Sequence, residues 1–115
     1  MAAGVQMKMK SSESLSDIAS ALRSTLVGFN DYTLVCHQER MNQSVLLCFE
    51  RYYRRTQSFA ALTILLCDDG EYQTADVVGS GGGEGRLNIS WGSNDAIVFR
   101  AVKLLEEIGF RKVLE

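Results

Sequence analysis

Arg51, Arg54 and Arg55 interleave with Tyr52 and Tyr53, an arrangement in which rings can stack on bases while guanidinium groups hold phosphates. Successive strand side chains point to opposite faces, so Arg51, Tyr53 and Arg55 share one side, and Tyr52 and Arg54 share the other with Glu50. The cations are divided between two surfaces. A solvated strand end or a protein-contact surface therefore fits this cluster better than a nucleic-acid site does. The run Gly79-Ser80-Gly81-Gly82-Gly83-Glu84-Gly85, followed by Arg86, offers free backbone N–H groups that could cradle an anion. It lacks the lysine of a phosphate loop, and Glu84 stands where a dinucleotide fingerprint needs its third glycine. A flexible loop is the simpler reading.

Other reactive groups are isolated. His37 is the sole histidine, which leaves a zinc site or a hydrolytic triad without its parts. Asp68, Asp69 and Glu71 could hold a hard cation, but Asp-Gly at 69–70 is itself a hairpin signal and the run lacks the spaced ligands of a calcium loop. Cys48 and Glu50 fall on one strand face with no base adjoining them, and a buried thiol is inert. No catalytic residue, metal ligand or cofactor site is expected. The residues most suited to touching a ligand or partner are Arg51, Tyr52, Tyr53, Arg86, Trp91 and Phe99.

The scaffold that must carry these groups is small: 115 residues, 46 % apolar and 23 % charged, fit one α+β domain over residues 7–115. Met1–Gln6 reads as a ragged leader or an added N-terminal extension, since Met7 and Met9 offer other starts. A net charge of −2 supplies no general field for nucleic acid or an anionic membrane. The longest apolar stretch, Phe59 to Cys67, is about half of the roughly 20 residues needed to span a bilayer. Cys36, Cys48 and Cys67 form no Cys-x-x-Cys pair and sit in strand-like runs, so they are read as reduced core residues of a cytoplasmic protein.

Periodicity orders the elements. An extended piece at Val5–Lys10 precedes a helix capped by Ser14, with Asp17 three residues on and Leu15, Ile18, Ala19, Leu22 and Leu26 forming one stripe up to Gly28. Strands are predicted at Tyr32–Arg40, with Tyr32, Leu34 and Cys36 opposite Thr33, Val35 and His37, then at Ser44–Arg55, Phe59–Cys67 and Tyr72–Val78. Gly79–Gly85 is a loop, and Leu87, Ile89 and Trp91 alternate as in a short closing strand over Arg86–Trp91. Ser93 or Asn94 caps the last helix, whose end at Gly109-Phe110 has the form of a Schellman stop. The result is strand, helix, four or five antiparallel strands, helix: an α+β meander with both helices on one face.

That face cannot account for all the apolar residues. Both parities are apolar in Val45-Leu46-Leu47-Cys48-Phe49, and Ala60, Leu62, Ile64 and Leu66 oppose Phe59, Ala61, Leu65 and Cys67. An antiparallel sheet with one wet face should alternate instead. Curling of the sheet around its helices, an internal ligand cavity, or a back-to-back homodimer would each supply the missing cover. Phe99 is predicted on the charged side of the last helix, exposed or used.

The Phe49-Glu50-Arg51-Tyr52 strand, the Gly81-Gly82-Gly83 segment and Asn88-Ile89-Ser90-Trp91-Gly92 before the last helix together resemble a family of small uncharacterised bacterial proteins, a domain of unknown function, over the chain from about Met7 onward. That resemblance implies a non-secreted protein and brings no catalytic residues. The element order is also similar to the half-repeat of TATA-binding-protein-like folds or, with a fifth strand, to a reduced helix-grip domain. Two functions follow: a non-enzymatic binding or interaction module that homo-oligomerises through the second sheet face, or a small-molecule ligand carrier or enzyme with a pocket between the sheet and the last helix, near Trp91, Tyr52 and the glycine loop. Neither nucleic acid nor a membrane is an expected partner.

Overall fold

The computed structural model describes residues 3–29, 33–41, 43–53, 58–81 and 87–113; within them the side chains at 3, 28, 29, 33–40, 52, 53, 58, 59, 81 and 87–97 are left undescribed. The order is β1 (Ala3–Lys10), α1 (Leu15–Phe29), β2 (Thr33–Met41), β3 (Ser44–Tyr53), β4 (Ser58–Asp68), β5 (Tyr72–Gly81), α2 (Leu87–Ile108) and β6 (Arg111–Lys112). The strands form one sheet in the order β2-β3-β4-β5-β1-β6, and every neighbouring pair is antiparallel. The α+β class and the four-strand series between the helices are as the sequence predicts.

One sheet face carries Val5, Met7 and Met9 of β1, Val45, Leu47 and Phe49 of β3, Ala60, Leu62, Ile64 and Leu66 of β4, and Ala75 and Val77 of β5. Both helices pack on it: Ile18, Leu22 and Leu26 from α1 and Val98, Ala101, Val102 and Leu105 from α2 join the same core. At about 1.5–3 kcal/mol for each large apolar side chain removed from water, this layer is the main source of stability.

The helix ends follow their capping chemistry. The Ser14 hydroxyl accepts the N–H of Asp17 at 3.0 Å, so the hydroxyl half of the expected cap is in place. At the other end Gly109 has φ 134°, the N–H of Phe110 reaches the Leu105 carbonyl at 3.0 Å, and that of Gly109 reaches Glu106 at 3.2 Å. Phe110 is fully buried, completing the Schellman stop with its apolar contact.

Several boundaries differ from the sequence reading. Arg86–Trp91 is not a closing strand: α2 begins at Leu87 and takes in Ser93 and Asn94, and Arg86 itself lies outside the described residues. Leu87 and Trp91 also fall in helical register with Val98, Ala101 and Leu105, and six alternating residues cannot separate the two periods. Gly79–Gly81 belong to β5, paired with Leu62, Ala61 and Ala60, because the long β4 supplies hydrogen-bond partners that offset glycine's entropy; Gly82–Gly85 lie outside the described residues. Gly28 is inside α1, which runs to Phe29. The register of β2 shifts between Val35 and His37, pairing Val35 with Phe49 but His37 with Cys48, so a bulge places on opposite parities two residues expected on one side. Ala3–Gln6, set aside as a leader, pair with Asp76–Gly79. Strand β6 was not anticipated, its two residues being too few for a pattern. Arg54 and Arg55, placed in the predicted strand Ser44–Arg55, lie outside the described residues.

Candidate functional site

The other sheet face has no layer over it among the described residues. Parity sends Leu46 and Cys48 of β3, Ala61, Thr63, Leu65 and Cys67 of β4, and Thr74, Asp76 and Val78 of β5 to this side. All but Val78 are half-buried, and Val78 is 38 % exposed. Leu46 pairs with Leu65 at the centre of the face, and on either side of this apolar pair Cys48 meets Thr63 and Ser44 meets Cys67. Met41, opposite Ser44 on β2, is 64 % exposed.

Cysteine chemistry here is quiet. Cys48 and Cys67 are free and half-buried on the uncovered face, not in the core as the sequence reading had it, because both have odd parity relative to the helix-facing residues. The Cys48 Sγ lies 3.9 Å from the Thr63 Oγ1. The Cys36 side chain lies outside the described ones, as does that of His37.

Charged groups frame the apolar centre. On β1 the outward parity gives Gln6, Lys8 and Lys10, and the Lys8 Nζ sits 4.3 Å from the centroid of the Tyr72 ring. Glu50 stands exposed on β3, opposite Ala61. Arg111 pairs with Lys8 in the sheet, while its guanidinium turns back to donate to the carbonyls of Phe110 at 2.8 Å and Glu106 at 3.4 Å.

The acidic turn uses its carboxylates internally. Asp68 Oδ1 accepts from the Ser11 hydroxyl and the Gly70 N–H, each at 2.8 Å, and Asp69 Oδ1 accepts from the N–H groups of Tyr72 at 2.8 Å and Glu71 at 2.9 Å. The Gly70 N–H chiefly, then Ser11, and to a smaller extent Gln73, hold the Asp68 carboxyl below the ordinary carboxylate range. Tyr72 and Glu71 do the same for Asp69. Among the described residues no group of three or more His, Cys, Asp and Glu could hold a metal ion.

Gln73 was not foreseen. It is fully buried, and its amide donates to the Glu13 carbonyl and, at 3.1 Å, to Asp68 Oδ2. A polar residue at the core parity of β5 was the only sequence signal available.

Of the six predicted contact residues, Arg51 and Phe99 have described side chains, and these two lie on different surfaces. Arg51 pairs with Ala60, which puts it at core parity on the helix-covered face, half-buried. Tyr52 and Tyr53 end β3, paired with Phe59 and Ser58, and their side chains are undescribed. Trp91 lies in α2, its side chain likewise undescribed, and Arg86 is outside the described residues. Phe99 is 64 % exposed on the outer side of α2, with the Lys103 Nζ 5.7 Å from its ring centroid. One hollow of about 300 Å³ is lined by Phe99 with Thr25, Arg100, Lys103, Leu104 and Glu107, and another of about 340 Å³ by Lys103, Glu106, Glu107 and Arg111. Between sheet and α2 the described space is filled by Val98, Ala101, Val102 and Leu105 against the strands; the end near Trp91, Tyr52 and the glycine loop falls outside it.

Residues 5–109 match the model of a family of unknown function, DUF6054. The chain belongs to that family. No protein with a curated description matches it. The DUF6054 match covers the glycine segment, Trp91 and both helices, in agreement with the resemblance carried by the Glu50-Arg51-Tyr52 strand and Trp91-Gly92. Among the described residues of this DUF6054 chain, no helix is long and apolar enough to cross a membrane.

Proposed function

We propose that this protein is a non-enzymatic interaction module, one α+β domain whose sheet takes in β1 from Ala3, that homodimerises through its uncovered sheet face. One observation carries the reading: apolar side chains on three adjacent strands, Leu46, Leu65 and Val78 among them, stand at the parity away from both helices. A soluble chain seldom leaves so continuous a patch against water. The area suits a second copy. With strands about 4.8 Å apart and about 3.3 Å per residue, the span from β2 to β1 over eight residues covers roughly 600 Å². Two such faces bury roughly 1,200 Å², at the lower edge of stable protein interfaces. Unpaired Cys48 and Cys67 fit a reducing, cytoplasmic setting.

Sedimentation of the full chain at micromolar concentration tests this, with a dimer as the expected species. Cys48 and Cys67 should also react more slowly with a thiol reagent as concentration rises. A strict monomer whose thiols react at one rate at all concentrations overturns the proposal.

The ligand-carrier reading keeps one site, the undescribed end near Trp91. It has weaker support, since the described part of the sheet–α2 interface is packed with aliphatic side chains.

A further inference from the structure

The uncovered face is patterned along its two diagonals, and the pattern specifies how two copies would meet. Along one diagonal lie exposed Met41 on β2, Leu65 near the centre and exposed Val78 on β5. The other diagonal runs from Lys8 on β1 to Glu50 on β3: Lys8 shares a row with Thr74, Cys67 and Ser44, and Glu50 shares one with Ala61 and Ser80, three rows away. Apolar residues occupy one line, and opposite charges end the other.

A face-to-face dimer has its two-fold axis in the plane of the interface. If that axis follows the apolar diagonal, Met41, Leu65 and Val78 each lie near their own symmetry mates, and each Lys8 corner exchanges with the Glu50 corner. Strand spacing and rise put Lys8 about 10 Å across and 7 Å along from Leu65, and Glu50 about 5 Å across and 13 Å along in the opposite sense. An axis at about 45° to the strands swaps the across and along directions, leaving the two positions about 4 Å apart in projection and, with sheets about 10 Å apart, about 11 Å between Cα atoms, a gap that a lysine and a glutamate side chain reaching toward each other can close. The same operation lays Asp76 over the partner's Thr63, whose hydroxyl can donate to the carboxylate. It also crosses the strands at about 90°, one of the two packing classes of stacked sheets. An axis along the strands would instead set Lys8 over β2 and leave Glu50 facing β5.

Resting on the homodimer reading, we propose that two copies pack orthogonally about the Met41–Leu65–Val78 diagonal, with Lys8 of each paired to Glu50 of the partner subunit. The charges then fix the crossing angle, and the apolar line supplies the contact.

The test is a charge-swap cycle on the full chain, read as the dimer dissociation constant by sedimentation. Lys8→Glu and Glu50→Lys should each weaken the dimer roughly tenfold, since each places like charges at two symmetric contacts. The double variant should return to within about threefold of the starting value. Val78→Cys in a background of Cys48→Ser and Cys67→Ser provides a second reading, because a short bifunctional thiol reagent should join two chains through position 78. A dimer that ignores both reversals, gains nothing from the double variant and is not joined through position 78 overturns this geometry while leaving the face as the interface. A monomeric wild-type chain removes both.

Discussion

Leu46 and Leu65 stand directly opposite each other across β3 and β4, on the sheet surface that neither helix covers. Each is flanked along its strand by residues that point into the core, Leu47 and Ile64. Replacing Leu65 by Lys should therefore cost less than about 1.5 kcal/mol of folding stability, as at other sites outside the core. It should nevertheless abolish the dimer. Leu62→Ala, at a fully buried position of the same strand, should cost about 2–5 kcal/mol. Urea unfolding beside sedimentation separates the two effects, and equal losses of stability would mean that the outer face is covered from within the chain.

Acid should loosen the β4–β5 turn. Asp68 and Asp69 both titrate below the ordinary value of 3.8 because backbone N–H groups favour their charged forms. A carboxyl lowered in the folded state contributes stability that is present above its unfolded pKa and lost as pH falls through the folded one. Melting temperature should thus decline as pH drops below about 3.8, and Asp69→Asn should decline less steeply. An unchanged acid slope in that variant would argue against the turn as its source.

Ser14 caps α1 through a single hydroxyl contact to the Asp17 N–H. Ser14→Ala should cost about 1 kcal/mol, and Ser14→Asp should restore most of it by supplying another acceptor. Denaturant midpoints with unchanged slopes would show the effect.

Gly109 ends α2 at φ 134°, and an added Cβ would meet the Met9 sulfur at 3.3 Å. Gly109→Ala should destabilise by about 1–3 kcal/mol, chiefly through the backbone conformation, because methionine can give way at that distance. Combining it with Met9→Ala should recover little.

Gln73 is the one buried polar side chain among the described residues, and its amide spans Asp68 and the Glu13 carbonyl. Gln73→Leu leaves both acceptors without that donor and should cost about 1–3 kcal/mol. Gln73→Glu should cost more at neutral pH, where two carboxylates would face each other, and the difference should shrink in acid. Thermal melts of both variants at pH 7 and pH 4 check this.

Capping and turn residues made much of this fold legible. Ser14 at the start of α1, Gly109-Phe110 at the end of α2 and Asp68-Asp69-Gly70 between β4 and β5 act through neighbours a few positions away, so local reading found them. In Leu87–Trp91 short alternation and helical spacing coincide, so the sequence pattern alone does not separate a strand from the helix that forms there. The six proposed contact residues were chosen for side-chain type, which does not reveal that Arg51 shares its parity with Phe49 of the core.

By itself the sequence determined an α+β class, two amphipathic helices and strands too apolar to be covered by them, because periodicity and residue chemistry are properties of the local chain. It could not say which parity faces the helices, where β2 slips at its bulge, or that Lys8 and Glu50 close opposite corners of one surface. Those facts depend on pairing between residues far apart in the chain. A shift of one position in that register would have sent every side chain of a strand to the other side.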